Sequence, residues 1–396
     1  MKKSFLCFLF ALIGFINTKL LAQKTVDTPS KVYKVAVFAP LYLDSVFTDN
    51  NLRNDKSLPK FIMPAVEFTQ GAEIAFDTLF SSGQHVEGFI YDTKSFSEPL
   101  SRLLHTTKLD SIDLIIGAVK DIDFKELADF SLYKKIPFIS ATFPNDGGVT
   151  GNPFVAIINS TLKAHCEGIY SYILQNHGTD KIYLFKKHGA QEDKIAGYFK
   201  MMNEQEGKPL LSIQTITFDS SFSENTFKSK LDSNRNSIII GGSLDETFAK
   251  NLTDVCYASK KNYPLTLIGM PNWDGFKFFA KEDAYKDFPI HFTSPYYNSR
   301  TSAISNYLTD EYNLRYKSKP SDIACKGFET TYFFTSLFFK YPHDLMSHLN
   351  DTSLKVFNEF NFKPVLPNKN SNAPDYYENK HLYIMRILNG TVGREW

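Results

Sequence analysis

The sequence has few cysteines, little excess of charge of either sign and no Cys-x-x-Cys pair, and each scarcity excludes a class of protein. Its four cysteines are widely separated among 396 residues, so the spacing of a zinc site or a disulfide scaffold is absent. Its 44 basic and 43 acidic residues leave a formal net charge of +1. Because binding to nucleic acid rewards a strongly basic surface, we expect no nucleic-acid partner.

Motifs that carry catalytic chemistry are also missing. The sequence contains no Gly-x-Ser-x-Gly, His-Glu-x-x-His, phosphate-binding-loop or Gly-x-Gly-x-x-Gly motif. Its nine histidines are scattered, with no i, i+4 pair that could hold a metal ion. The run Gly241–Ser243 resembles the start of a nucleophile turn, but Asp245 stands where the second glycine is required. We therefore expect neither an enzyme nor a cofactor.

Long apolar runs are scarce, and the one at the N-terminus predicts export. Two lysines precede an apolar run from Phe5 to Ile16, which is too short to span a bilayer of about 30 Å. This layout is typical of a signal peptide over residues 1–23, with cleavage after Ala22 or Gln23. A short buried helix is the alternative, but the run has no amphipathic face. We predict a periplasmic protein with no inserted segment after cleavage, in which either one pair or none of the three remaining cysteines is bridged.

Beyond residue 34 the sequence alternates short apolar runs with amphipathic stretches, a pattern typical of parallel strands joined by helices. The run Val35–Ala39 is apolar on both faces, as in a strand covered by helices on both sides. The predicted strands cover residues 35–40, 86–91, 112–118, 136–140, 154–158, 181–185, 213–218, 237–242, 265–270 and 291–294. The first predicted helix begins near residue 64. The other predicted helices cover residues 99–109, 124–133, 162–174, 193–204, 224–232, 246–259, 302–316 and 325–339.

Two features indicate how these elements are grouped. A chain of 396 residues exceeds what one core usually covers, and the turn-forming run Phe143–Gly148 interrupts the alternation before it restarts. We therefore predict two α/β lobes. Near the C-terminus, two strand-like runs flank Asn389-Gly390, which predicts a β-hairpin.

The order of these elements resembles the type I periplasmic-binding fold, the family of leucine/isoleucine/valine-binding proteins of ABC transporters. The likeness is carried by Val35–Pro40, Gln70–Ala72, Ile115–Gly117, Ile136–Thr142, Ile238–Gly242, Leu265–Met270 and Gly327–Thr331. The resemblance implies two Rossmann-like lobes with a three-crossover hinge. Lobe 1 would comprise residues 31–150 plus 291–350, and lobe 2 residues 151–290 plus 351–396.

The resemblance also implies a ligand cleft at the carboxyl ends of the strands, between the lobes. The candidate ligand-binding residues that follow strands or crossovers are Tyr42, Lys120, Ser140, Ala141, Thr142, Lys187, Ser243, Asp245, Trp273 and Tyr296. In amino-acid-binding relatives, small hydroxylated residues after the fourth strand hold the ligand's carboxylate, and this match falls on Ser140 and Thr142. Asp245, or alternatively Glu246, would receive an amine. Each of these residues could instead only cap a helix.

Three further residues or segments bear on the ligand. Trp273 is expected to be loop-borne and partly exposed, as a wall of the site or a cover for a lobe edge. Lys120 stands where amino-acid-binding relatives usually have a small serine-containing turn, and a lysine there would favour an anion or simply fill the pocket. The loop Asp44–Met63 is longer than usual and could be a lid or a partner surface.

Two functions follow from this sequence. The first is capture of a small polar ligand, amino-acid-like or anionic, for an inner-membrane ABC permease or a sensor. The second is a scaffold without a ligand that acts on envelope proteins, its cleft filled by its own aromatic side chains. The 36 phenylalanines and 21 tyrosines leave the second function open.

Overall fold

The computed structural model describes residues 31–49, 51–53, 57–205, 207–218, 224–368, 370–371 and 373–396. The predicted signal peptide lies outside these residues. Residues Tyr33–Trp396 form one unit by their mutual contacts. Within the described ranges, every helix is too short or too polar to cross a membrane.

Strands and helices alternate along most of the chain. In chain order, the strands are β1 (Tyr33–Ala39), β2 (Phe47–Thr48), β3 (Asn51–Leu52), β4 (Val86–Asp92), β5 (Leu114–Gly117), β6 (Phe138–Ser140), β7 (Val155–Ile157), β8 (Lys181–Lys187), β9 (Glu204–Gln205), β10 (Lys208–Pro209), β11 (Ile213–Phe218), β12 (Ser237–Gly241), β13 (Leu265–Ile268), β14 (Ile290–Ser294), β15 (Phe362–Val365), β16 (Tyr376–Asn379), β17 (Tyr383–Leu388) and β18 (Thr391–Arg394). The α-helices are α1 (Leu43–Val46), α2 (Met63–Ser81), α3 (Leu100–Leu103), α4 (Asp121–Lys134), α5 (Leu162–Asn176), α6 (Ala190–Asn203), α7 (Glu224–Lys228), α8 (Glu246–Ser259), α9 (Ala303–Tyr316) and α10 (Asp322–Lys340).

The first sheet has the strand order β15-β16-β7-β6-β5-β1-β4. Neighbouring strands are parallel, except that β15 runs antiparallel to β16. Strand β1 is buried on both faces, as its continuous apolarity predicts. Val37 belongs to one apolar layer with Phe68 and Phe334 of α2 and α10, whereas Phe38 belongs to the other with Phe124 of α4. This sheet is the core of lobe 1.

The second sheet has the strand order β11-β8-β12-β13-β14-β17-β18. Strands β11 to β14 are parallel, and β17 and β18 are added antiparallel at one edge. Its central strand Ser237–Gly241 is wholly buried, in one apolar cluster with residues of α5, α6 and α8. This sheet is the core of lobe 2, and the α/β class of two Rossmann-like lobes is confirmed.

The β-hairpin at Asn389-Gly390 is confirmed, and one predicted helix is wrong. Leu388 pairs with Thr391, and both turn residues have positive φ, as a two-residue type I′ hairpin requires. The helix predicted over 99–109 is instead the single turn of α3 and a separate 3₁₀ turn at Thr107–Leu109. Leu100, Leu103 and Leu109 are buried, but the backbone that contains them forms two separate short turns instead of one helix.

The chain changes sheets at points that differ from the predicted boundaries. Strand β7 lies in the first sheet, although the sequence places it in lobe 2. Strand β14 lies in the second sheet, and β15 and β16 return to the first. The chain therefore crosses between β7 and β8, again after β14, and again between β16 and β17. A turn-rich run such as Phe143–Gly148 marks the end of a strand but does not reveal which sheet receives the next one.

Three cysteines, Cys166, Cys256 and Cys325, are free and buried. Cys166 and Cys256 are part of the lobe 2 cluster, where they pack as small apolar side chains. Burial raises the pKa of the Cys166 thiol to about 12 and raises the pKa of Cys256 as well. Of the two alternatives, the described residues therefore show the one without a bridge.

Candidate functional site

A cleft of about 1050 Å³ lies where the carboxyl ends of both sheets meet. Its lobe 1 wall contains residues that follow β6 and β7, together with residues of β15 and β16. Its lobe 2 wall contains residues that follow β8, β12 and β13. Some of these lining residues are Asn145, Asp146, Thr150, Asn159, Lys163, Gln191, Lys194, Leu244, Asn272, Asp274, Asp375 and Tyr376. Open parallel sheets bind ligands at this edge, so the cleft is the candidate site.

Three charged residues that line the cleft, Lys380, Glu378 and Glu167, form ion pairs with one another. Lys380 lies between two carboxylates, 2.6 Å from Glu378 and 2.8 Å from Glu167. Glu378 also accepts a hydrogen bond from the backbone N–H of Thr161 at 2.8 Å. These residues belong to the first and third crossovers and to α5, so the ion cluster ties the crossovers together as well as lining the cleft.

His165 contributes an uncharged side chain to the cleft. Its Nδ1 lies 2.7 Å from the Thr293 hydroxyl, and the ring is almost fully buried. Burial lowers the pKa of His165 to about 3, so the ring is neutral at physiological pH. The histidine therefore acts as a hydrogen-bonding partner rather than as a charge.

Asn272 leaves a hydrogen-bond acceptor without a partner in the lobe 2 wall. Its Nδ2 donates to the Leu244 carbonyl at 2.8 Å, whereas its buried Oδ1 has no partner among the described residues. A buried acceptor without a hydrogen bond lowers the free energy of unfolding by roughly 1–3 kcal/mol unless water or a ligand supplies a donor.

Lys326 lies at the deep end of the cleft, on the second turn of α10. It is partly buried, lines the cleft, and also lines an adjoining cavity of about 20 Å³. Its Nζ lies 4.9 Å from the centre of the Tyr296 ring, over the ring face. Sequence reasoning missed this residue, because it is inside a helix and not at a strand end; a lysine in an otherwise apolar helix was the available signal.

The candidate residues after β1 and β5 do not line the cleft. The backbone N–H groups of Leu41, Tyr42 and Leu43 all donate to the Asp92 carboxylate, at 2.7–3.0 Å. The Asp92 carboxylate therefore occupies the turn after β1 where the sequence predicts ligand binding. Lys120 is exposed at the N-terminus of α4 and is likewise not among the residues of the cleft wall.

The candidate residues after β6 lie beside the adjoining cavity. Ala141 and Tyr296 both line it, together with Lys326. Ser140 is fully buried, with its hydroxyl unpartnered among the described residues, and the Thr142 carbonyl accepts from Asn159. The structure thus brings Ala141 and Tyr296 together at the deep end of the cleft, next to the lysine.

The candidate polar residues of lobe 2 bind one another. Lys187 pairs with Asp245 at 3.0 Å, and Asp245 also caps α8 by accepting from the Phe248 N–H. That backbone hydrogen bond, with the Lys187 ion pair, lowers the pKa of Asp245. Ser243 is fully buried and donates to Glu192 at 2.6 Å. None of the three predicted residues is among those of the cleft wall.

Trp273 is wholly buried, so its predicted partial exposure is wrong. Its ring covers Gly241 and Gly269, where an added Cβ would lie 2.5 Å and 2.2 Å from ring atoms. Its Nε1 donates to the Ser243 carbonyl at 3.0 Å, and its ring stacks on Phe279. Because the two glycines at adjacent strand ends have no side chains, they leave a space in the lobe that the ring fills.

The described residues of the long loop Asp44–Met63 include most of α1 and the β2–β3 hairpin, and none of them is among the residues that line the cleft. The Asp44 carboxylate accepts from the backbone N–H groups of Phe96 and Ser97, at 2.7 and 2.9 Å. These hydrogen bonds lower the pKa of Asp44 to about 2. The loop is therefore anchored to the turn after β4.

Comparisons with known proteins identify the fold. No protein-family model matches the sequence, and no curated protein is significantly similar to it. Among solved structures, a branched-chain amino acid ABC transporter protein of Rhodospirillum rubrum gives a TM-score of 0.66 at 10% identity, covering 92% of this chain and 100% of that chain. LivJ of Streptococcus pneumoniae in complex with isoleucine gives 0.52 at 16% identity, covering 92% and 99%. A leucine complex from Desulfitobacterium hafniense gives 0.56 at 11% identity, covering 92% and 100%. The described chain has the type I periplasmic-binding-protein fold.

Proposed function

We propose that the protein is an exported solute-binding protein that captures a small polar ligand between its two lobes and delivers it to an ABC permease or a sensor. The cleft at the carboxyl ends of both sheets carries this proposal. Its volume of about 1050 Å³ suits a small molecule, because ligand pockets are typically about 300–1,000 Å³.

The fold adds support for this function. Two of the similar structures hold isoleucine and leucine, all three are described as transporter proteins, and two of them as ABC transporter proteins. An N-terminal signal peptide would place this chain in the same compartment as a periplasmic binding protein.

Scaffolding without a ligand is the competing function. A scaffold would fill the cleft with its own aromatic side chains, whereas Trp273 is buried inside lobe 2 and is not among the residues of the cleft wall. The cleft is large and bordered by polar groups such as Asn272 and Asp274. Enzymatic activity is disfavoured for a separate reason, since two of the similar structures are described as substrate-binding proteins and the sequence has none of the catalytic motifs named above.

A thermal-shift screen tests solute binding. The chain purified without residues 1–23 is heated with amino acids, carboxylates, amides, nucleosides and sugars, each at millimolar concentration. A ligand present at a hundredfold excess over its Kd stabilises the native state by about 2.7 kcal/mol, which raises the Tm by a few degrees.

A substitution that blocks the cleft provides the control. Thr150→Trp places a large ring at an exposed position on the lobe 1 wall, and it should abolish the shift produced by any hit. Thr391→Trp, at an exposed position of β18, should leave the shift intact. A screen without a hit, or a hit that survives Thr150→Trp, would favour the scaffold.

A further inference from the structure

Lys326 is a cation in the cleft without an ion-pair partner. Among the described residues, no carboxylate lies within 4.0 Å of its Nζ and no hydrogen bond to it is present. The Tyr296 ring face is its nearby polar partner, at 4.9 Å from the ring centre. A partly buried ammonium group with only a ring face beside it has lost much of its hydration without full compensation.

The carboxylates nearest to Lys326 along α10 are committed to other groups. Asp322, one turn earlier, pairs with Arg300 at 2.5 Å. Glu329, in the following turn, accepts from the backbone N–H groups of Phe357 and Asn358, at 2.8 and 2.6 Å. Neither carboxylate therefore forms an ion pair with the lysine.

Asp274 faces the lysine from the opposite lobe. It follows β13 in lobe 2, lines the same cleft, and its charge acts on Lys326 across the open space. Burial lowers the pKa of Lys326, and Asp322, Asp274 and Glu329 oppose this shift. The wall around the lysine thus contains one unpaired cation, with carboxylates on both sides of it.

We propose that Lys326 receives a carboxylate of the bound solute, so that the ligand is a small monocarboxylate, with or without a cationic group that faces Asp274. This inference rests on the proposed solute-binding function. A single cation suits a monoanion, whereas the carboxylates of Asp274 and Glu329 would repel a dianionic phosphate. The cavity beside the lysine is lined in part by the apolar side chains of Ile158, Pro295 and Phe360, which lower the local polarity and strengthen an ion pair.

The assignment differs from the one that the sequence offers. Ser140 and Thr142 were the candidate carboxylate ligands, but neither is among the lining residues of the cleft or of the adjoining cavity. Ala141 lies between them and does line that cavity. The proposed carboxylate site therefore lies at the same end of the cleft as the predicted one, but its positive charge is supplied by Lys326 of α10.

Matched pairs of probes test the charge requirement. Short aliphatic and aromatic monocarboxylates, leucine and isoleucine are compared with the corresponding carboxamides and with inorganic phosphate, by titration calorimetry on the chain without residues 1–23. Carboxylates should bind, and carboxamides of the same shape should bind at least tenfold more weakly.

Substitutions then assign the requirement to Lys326. Lys326→Gln should weaken carboxylate binding by about tenfold to a hundredfold and remove the preference over carboxamides. Lys326→Arg, which keeps the charge, should retain part of that preference. Lys125→Gln, at an exposed position of α4 outside the cleft wall, should bind like the unmodified chain. The Tm of Lys326→Gln without ligand should not fall, because the lysine makes no ion pair that stabilises the fold.

The possible failures are distinguishable. Undiminished carboxylate binding by a folded Lys326→Gln variant would overturn the role of Lys326 and leave solute binding intact. Binding of phosphate, carboxamides or sugars in preference to carboxylates would overturn the ligand class in the same way. Absence of binding by every probe, together with a negative thermal-shift screen, would overturn both proposals.

Discussion

Polar side chains in the two lobes differ in whether they already have a hydrogen-bond or ion-pair partner within the protein. Asp92 fills the turn after β1, and Lys187 and Asp245 neutralise each other in lobe 2. Asn272 and Lys326, in contrast, retain an unmade hydrogen bond and an unpaired charge in the cleft. Groups of the second kind can gain free energy from a ligand, because they lose no internal partner when it binds.

The buried histidine predicts a dependence of stability on pH. His165 has a pKa of about 3 in the folded protein and about 6.5 in an unfolded chain. Between these values the unfolded state binds a proton that the folded state does not, so the free energy of unfolding falls as pH decreases. From pH 6.5 to 4.5 this loss is roughly 2–3 kcal/mol.

A variant that cannot titrate isolates this contribution. His165→Gln should be less stable than the unmodified chain at pH 7.5, because the hydrogen bond to Thr293 is altered, but it should lose less stability on acidification. Measuring Tm for both proteins from pH 7.5 to 4.5 checks the prediction. Parallel curves would show that His165 is already protonated in the folded protein or stays accessible to water.

The sequence was a poor guide at this scale wherever an internal partner decides the outcome. Strand ends could be found from apolar runs, and Ala141 and Tyr296 do lie together at the deep end of the cleft. Trp273 was placed at the surface because it follows proline and asparagine, yet it is buried on two glycines. One of these glycines, Gly241, lies about 30 positions before the tryptophan, and local patterns do not reveal a contact at that separation.

Among the elements, the contact between α2 and α10 depends on two glycines. A Cβ at Gly71 would lie 2.0 Å from the Ala324 carbonyl oxygen, and a Cβ at Gly327 would lie 2.0 Å from the Phe68 carbonyl oxygen. Each helix therefore presents a bare backbone to the other. The same two glycines are part of the runs that carry the sequence resemblance, and their contact supplies a physical reason for glycine at both positions.

Alanine at either glycine should destabilise the protein. Gly71→Ala and Gly327→Ala force the helices apart, which should lower the free energy of unfolding by about 1–3 kcal/mol or more. Gly197→Ala is the matched control within α6, where nothing lies within 4 Å of the added Cβ. This control should be stabilised by roughly 0.5–1 kcal/mol, because alanine restricts the unfolded chain and favours a helix.

Urea unfolding of the three variants measures these differences. The interpretation of α2 and α10 as a close-packed pair would be wrong if Gly71→Ala and Gly327→Ala gained stability as Gly197→Ala is expected to do. A loss at Gly197→Ala would instead mean that its surroundings are more crowded than the structure shows.

In the whole molecule, a buried carboxylate connects the crossovers to α10. Glu329 accepts from the N–H groups of Phe357 and Asn358 and from Asn358 Nδ2 at 2.6 Å. The Oδ1 of Asn358 in turn accepts from the Tyr297 N–H at 2.7 Å. Tyr297 follows β14 and Asn358 precedes β15, so one network holds the segment that leaves lobe 2 and the segment that returns to the first sheet.

Replacing this carboxylate should weaken the hinge region. Glu329→Gln replaces one of the two carboxylate oxygens by an NH₂ group. The Asn358 side chain cannot flip to accept from this group, because its Oδ1 already accepts from the Tyr297 N–H, so at least one buried donor loses its acceptor. We expect a loss of about 1–3 kcal/mol in the free energy of unfolding. Glu359→Gln, which removes an exposed ion pair with Lys355, should change it by less than about 1 kcal/mol. Equal Tm values for the two variants would contradict the role of Glu329.

The sequence by itself determined the α/β alternation, the buried central strands and the Asn-Gly hairpin, because apolar periodicity and turn chemistry are local properties. Only the tertiary structure decided which sheet receives β7, β14 and β16 and which polar groups find an internal partner. Those outcomes depend on contacts between residues far apart in the chain. For the same reason no strand end could indicate Lys326 of α10, the lysine at the deep end of the cleft that forms no ion pair among the described residues.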